Sequence, residues 1–250
     1  EPTARAVLSI PEDYLVYPHM RGGRVVYLSA RSVEGKRHYN LPLELAGPRQ
    51  VFEAWPVGPA TREIHVLVEG QADAISLAQV GVRATALCGV KGQATPGVTH
   101  VALDNDRSGQ AGNLEMALGH GPLTALVKWP MGMKDANELL RAEDGPTRMM
   151  ACLDAGMPAI IALAGHSNTQ RGEERQAAIR RLGTAFHTLD ELTQADMGEE
   201  IAQALGVKIS HFKRLMRATD EEEAKEQPSP SQYVTSAGGV VGQVVFEQCV

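Results

Sequence analysis

The feature that most restricts how this chain can fold is a series of three acidic phrases between Ile64 and Leu140. They read Val68-Glu69-Gly70, Leu103-Asp104-Asn105-Asp106-Arg107-Ser108-Gly109 and Lys134-Asp135-Ala136-Asn137. Apolar runs at 64–68, 100–103 and 123–127 precede them, each long enough for one strand. Helix-length segments at 71–80 and 108–118 lie between, the first with Ala74, Ile75, Leu77 and Ala78 at helical spacing. Strands alternating with helices predict an α/β fold built on a parallel sheet. Ligands of such sheets gather beyond the carboxyl ends of the strands, so Glu69, Asp104 and Asp106 are expected on one rim. Side chains alternate along an extended chain, which puts Asp104 and Asp106 on one side and turns Asn105 away. Converging carboxylates repel unless a cation sits among them, and oxygen ligands of this charge density suit Mg²⁺, or Mn²⁺, completed by substrate phosphates.

The remaining composition narrows the class. No apolar run among the 250 residues approaches the roughly 20 needed to span a bilayer, and no signal peptide opens the sequence, so a cytoplasmic protein with no membrane contact is expected. Cys88, Cys152 and Cys249 form no Cys-x-x-Cys pair, which argues against a zinc ribbon or a disulfide framework. Cys88 lies in the apolar run 84–88, read as the second strand, and is expected in the core rather than as a nucleophile. A net charge of -6 argues against a surface that coats nucleic acid along its whole extent, yet leaves room for a local basic groove.

Upstream, Tyr14-Leu15-Val16-Tyr17 and Val25-Val26-Tyr27-Leu28-Ser29-Ala30 read as two strands joined at Arg21-Gly22-Gly23-Arg24. Arg24 and Arg31 mark the two ends of the returning strand, and Lys36-Arg37-His38 stands before Tyr39-Asn40. Cations beside aromatic rings are one way of holding a single strand without reading its bases, although charged hairpins also serve solubility alone. Lys91, in the loop Gly89-Val90-Lys91-Gly92 at the acidic rim, suits either a phosphate contact or a free surface lysine. Asp73 falls in the first turn of the helix after Glu69, where it can favour the helix dipole, orient a neighbour or reach a metal. Beyond 150 the pattern turns helical. Ala177, Ala178, Ile179 and Leu182 share a face, and 198–216 reads as helix, Ala-Leu-Gly-Val turn, helix, with Lys208, His211, Lys213 and Arg214 on the second. Acids with Pro228 and Pro230 then give a linker composition, followed by the β-like run Val240 to Phe246.

The three acidic phrases, in this order and at strand ends, resemble the TOPRIM domain of DnaG-type primases, topoisomerases and some nucleases. Lys134-Asp135-Ala136-Asn137 is similar to the corresponding segment of phage primase-helicases, where the bacterial form more often reads Asp-Pro-Asp. The Gly-Arg-Val strand, the arginine after it and the Lys-Arg-His-Tyr-Asn element resemble the basic subdomain of the same polymerase core. His38 departs from the pattern by standing where the family has a tyrosine.

This resemblance implies a TOPRIM-like parallel sheet flanked by helices, preceded by a small β-rich basic subdomain and followed by a helical one. The expected boundaries are 1–62, 63–150, 151–219 and a linker with the start of another domain at 220–250. It implies Glu69, Asp104 and Asp106 as catalytic groups, and Glu69, Asp104, Asp106 and Asp135 as the Mg²⁺ set. Arg24, Arg31, Arg37, His38, Lys91 and Lys134 are implied for nucleotide or template, Lys134 with the alternative of simply balancing the carboxylates. The implied function is primer synthesis on single-stranded DNA from nucleoside triphosphates, in a bacterial, plasmid or phage setting beside a fused or separate replicative helicase. The rival readings are a metal-dependent nuclease and a non-catalytic DNA-binding remnant.

Overall fold

The computed structural model describes residues 10, 13–35, 37–56, 58, 62–90 and 95–226, with the backbone alone for 107–111 and 221–226. Lys91 and the run from Val240 to Phe246 lie outside them. The first strands form a three-stranded antiparallel sheet, β1 (Tyr14–Arg21), β2 (Arg24–Ser32) and β3 (His38–Asn40), in the order β1-β2-β3. Gly22 and Gly23, at φ of 55° and 76°, make the hairpin turn, a pair of left-handed residues that matches the twist of the strands they join. Period two places Tyr17, His19, Tyr27 and Ser29 on the buried face. After the short helix α1 (Leu43–Ala46), the strand β4 (Phe52–Ala54) carries Phe52 against that face. Edge-on ring contacts of Tyr17 and His19 with Phe52, at 5.9 and 5.4 Å, join the small sheet to the large one.

The large sheet contains β4, β5 (His65–Val68), β6 (Arg83–Ala86), β7 (His100–Val101), β8 (Ala125–Leu126) and β9 (Met157–Pro158), in the order β4-β6-β5-β7-β8-β9. The four central strands run parallel, and β4 and β9 pair antiparallel at the edges. Burial on both faces explains why these strands read as unbroken apolar runs. Val66 and Val68 enter one core with Ala74, Leu77, Leu139 and Met149, while Leu67 enters the other with Val101, Leu126 and Ala159. The helices α2 (Gln71–Gln79), α4 (Ala136–Leu140) and α5 (Gly145–Asp154) cover the first face, and α3 (Arg107–His120) and α6 (Ala159–Thr169) the second.

Three further elements build on α6: α7 (Gly172–His187), α8 (Glu191–Leu205) and α9 (Ile209–Glu226) enclose a separate core of Ile160, Leu163, Leu182, Ile201, Leu205 and Phe212. Arg181 forks onto Glu115 of α3 at 2.6 and 2.5 Å and ties this helical part to the sheet. Gly206, left-handed at φ 74°, ends α8, and Val207 donates back to the Ala202 carbonyl, which makes the turn read from the sequence. The acidic run 220–223, expected in a linker, continues α9 instead. Glu, Ala and Lys are strong helix formers, and extending a packed helix needs no new nucleus. Among the described residues no helix is long and apolar enough to cross a membrane.

Candidate active site

The strand order changes direction between β5 and β7: the chain leaves β5 for β6 on one side, then returns to lay β7 on the other. Crevices form beyond the carboxyl ends at such a point, and the first two acidic phrases follow these two strands. Glu69 leaves β5 and Asp104 lies three residues beyond β7. The second strand stops at Ala86 rather than running to 88, because Cys88 (φ 53°) and Gly89 (φ 77°) are both left-handed and turn the chain at the rim. Burial pushes the Cys88 thiol up to about 12, so it is an inert group beside the cavity, consistent with the structural role expected of it.

The third phrase is brought in by Asn105. Its backbone N–H donates to the Lys134 carbonyl at 2.7 Å, and its amide donates to the Trp129 and Met133 carbonyls at 3.4 and 3.3 Å. The residue between the two aspartates, turned away as expected, is therefore the latch that holds Asp135 beside Asp104. Asp135 caps α4, accepting from the Glu138 N–H at 2.8 Å, and Glu138 accepts from the Lys134 N–H at 2.6 Å.

Asp73, Asp104 and Asp135 bring carboxylate oxygens within 4.8 Å of one another. Asp73 is 7% exposed, and its Oδ1 accepts from the Asn137 N–H at 3.1 Å. Burial first, then the charges of Asp135 and Asp104, push its carboxyl up to about 7 against the pull of the Asn137 and Gly70 N–H groups. Glu69 lines the same cavity, and its carboxyl is also raised, by burial and then by Asp104 and Asp106. Asp106 is exposed and acts on Glu69 through its charge. Lys134 Nζ stands 2.5 Å from Asp104 and 3.9 Å from Asp135 and is held in its charged form chiefly by the bond to Asp104. A positive charge thus already sits among the acids, and the donors around it are hard oxygens, a set that fits Mg²⁺ or Mn²⁺.

Opposite stands the small sheet. The cavity, about 630 Å³, is lined on the acidic side by Glu69, Asp73, Asp104, Lys134 and Asp135 and on the other by Arg31, His38, Asn40 and Arg49. Two of the basic residues expected here lie elsewhere: Arg24 is exposed at the hairpin turn, and Arg37 pairs with Asp13 at 3.4 Å across the Tyr14 ring. Arg49 was not legible in the sequence. It lies in an irregular stretch between α1 and β4, and only the packing of Phe52 onto the small sheet brings it to the rim.

No protein-family model and no curated protein sequence matches the chain. Solved structures do match. The RNA polymerase domain of Mycobacterium tuberculosis primase DnaG aligns with a TM-score of 0.53 and 21% identity over 76% of this chain and 70% of that one. The E. coli primase catalytic core aligns at 0.52 and 21% over 78% and 71%. A DnaG primase catalytic domain bound to ssDNA aligns at 0.52 and 18% over 80% and 71%. Identity at this level speaks to architecture, and the architecture, a parallel-rich six-stranded sheet flanked by helices with a small antiparallel sheet before it, is that of the DnaG primase catalytic core.

Proposed function

We propose that the chain is a primase-type polymerase core of the TOPRIM class, joining nucleoside triphosphates into short RNA primers on a single-stranded DNA template. The observation that carries this reading is one cavity with carboxylates from three sheet loops on one wall and cations of a separate small sheet on the other. A nucleoside triphosphate needs both walls. Its phosphates require positive charge, and the carboxylates require a divalent ion that the phosphates help to complete. The relatives named as primases, one of them bound to single-stranded DNA, support the same reading.

Asp73, Asp104 and Asp135 would hold Mg²⁺ or Mn²⁺, with Asp106 and Glu69 beside them. Bound there, the ion supplies the Lewis acidity that favours the alkoxide form of an attacking 3′-hydroxyl and offsets charge on the triphosphate. Lys134, Arg31 and Arg49 neutralise phosphate oxygens, and His38 with Asn40 borders the path of the template. Glu69, at the end of β5 on the rim of the same cavity, would act as an acid or base there or support the ion. Arg24 and Arg37, off the cavity, serve the template strand further along the small sheet, and Lys91, outside the described residues, keeps the phosphate role that the sequence resemblance implies.

The test incubates the protein with random single-stranded DNA and labelled ribonucleotides in Mg²⁺. Short labelled RNA that depends on the template supports the proposal. Shortened template with no labelled product would replace it with the nuclease reading.

A further inference from the structure

Gln71 opens α2 directly after Gly70 and lines the cavity beside Ser29 and Glu69. Its amide orientation follows from a chain of obligatory donors and acceptors that begins well inside the protein. His19, 1% exposed, places Nδ1 at 3.1 Å from the Val51 carbonyl, which can only accept, so Nδ1 carries the proton. The neutral ring then presents Nε2 as an acceptor, and the Ser29 hydroxyl, at 2.9 Å, donates to it. Burial, which lowers the tendency of His19 to take a second proton, keeps the ring in that form. With its proton spent on His19, Ser29 Oγ has only lone pairs left, and Gln71 must turn its NH₂ toward them, at 2.9 Å. The carbonyl Oε1 of Gln71 is thereby left to the cavity.

We propose that Gln71 Oε1, aimed by Ser29 and His19, accepts a hydrogen bond from one sugar hydroxyl of the bound ribonucleoside triphosphate and so favours nucleotides that carry that hydroxyl over those that lack it. The inference rests on the polymerase reading above. The neighbouring groups fit the rest of the ligand: Lys134 and Arg31 take phosphate, the carboxylates take the divalent ion, and the sugar is the next unit along from the α-phosphate. Gln71 is two residues from Glu69, within about 7 Å along the backbone, so its reach is to that unit rather than to a distant base edge. An acceptor with a fixed orientation discriminates a hydroxyl from a hydrogen, because the deoxy ligand leaves the carbonyl desolvated without a donor. Ser29 and His19 are positioning residues in this scheme, since neither need touch the nucleotide.

The experiment measures equilibrium binding of ATP, 2′-deoxyATP and 3′-deoxyATP in Mg²⁺ to the wild-type chain, Gln71→Leu and Ser29→Ala. The wild type is expected to bind ATP roughly three- to tenfold more tightly than one of the two deoxy analogues, the range of a single neutral hydrogen bond. Gln71→Leu brings that ratio to about one, and Ser29→Ala, which keeps the amide but removes its anchor, brings it part of the way. The analogue whose affinity does not respond to Gln71→Leu identifies the hydroxyl. Equal wild-type affinities for all three ligands, or a ratio unchanged in both variants, would overturn the inference alone. A wild-type chain that binds no triphosphate in Mg²⁺ overturns the polymerase reading, and this inference with it.

Discussion

Replacing Asp73 by asparagine makes the electrostatics of the acidic cluster measurable without any activity. In the metal-free protein the Asp73 carboxyl sits at about 7, against about 3.9 for an aspartate in the unfolded chain. The native state therefore binds more protons than the unfolded state between these values, and this group makes stability fall as pH rises through that window. The loss grows from small at pH 4.5 to about 3 kcal/mol more at pH 8, an upper figure for a residue this deeply buried. The amide of the Asp73→Asn variant would keep an acceptor for the Asn137 N–H and carry no charge, so the variant should lack the slope. The assay is urea unfolding in EDTA at pH 4.5, 6 and 8, where titrating groups remote from Asp73 cancel in the difference between the two proteins. The variant should gain on the wild type steadily with pH and be the more stable protein at pH 8. Adding Mg²⁺ at pH 8 should reverse the order, because the ion stabilises the wild type through ligands that the variant has weakened. A variant less stable than wild type at pH 8 in EDTA, with a difference that does not change with pH, would refute the account of the cluster.

Other consequences can be checked independently. Asp104→Ala or Asp106→Ala should abolish primer synthesis while circular dichroism stays that of the wild type; retained dinucleotide formation contradicts their assignment. Lys134→Met should tighten Mg²⁺ binding a few-fold, since an ion pair whose lysine is more than half exposed is worth about 1 kcal/mol, and should weaken triphosphate binding. A change in neither affinity would leave Lys134 without a role in the cavity. Gly183→Ala should cost about 1–3 kcal/mol by urea titration, because a Cβ there runs into Thr219 Oγ1 and meets the Thr219 Cβ at 2.7 Å in the α7–α9 contact. His65, buried against Thr85 and pushed down to about 4, is neutral in the native state. Its contribution is full above pH 6.5 and is lost as pH falls toward 4, by at most about 3 kcal/mol, and His65→Gln should remove that part of the acid sensitivity.

How much of the site could be read beforehand depends on how its residues are placed. Glu69 and Asp104 were legible because strand ends fix position: a short apolar run followed by an acid puts the acid at the rim whatever the helices do, whereas Asp135, far beyond β8 at the start of α4, was expected only from the resemblance and is brought in by the bonds of Asn105. Asp73 was left open between a helix-dipole role, orienting a neighbour and a metal contact, since a first-turn aspartate suits all three; the approach of α4 to α2 gives it the Asn137 N–H as a partner and brings it within 4.8 Å of Asp104 and Asp135. Arg49 and Gln71 gave no signal, one lying in irregular chain and the other reading as an ordinary first helical residue. The basic hairpin was visible as a charged element, yet among the described residues only Arg31 and His38 of its basic side chains line the cavity. Period two says which side of a strand a residue is on, and the docking of one sheet against another decides which part of that side meets the cavity.

Local physics alone therefore determined the alternation of strands and helices, the glycine turn of the hairpin, the Gly206 helix stop and the order of the acidic loops. Those features depend on backbone sterics and on the period of apolar residues, both of which operate over a few neighbours. Tertiary packing decided which carboxylates come within reach of one another, the value at which Asp73 titrates, and the His19–Ser29–Gln71 chain between the two sheets. These depend on distances between segments 10 to 64 residues apart and on the water excluded between them, and no local pattern carries that information.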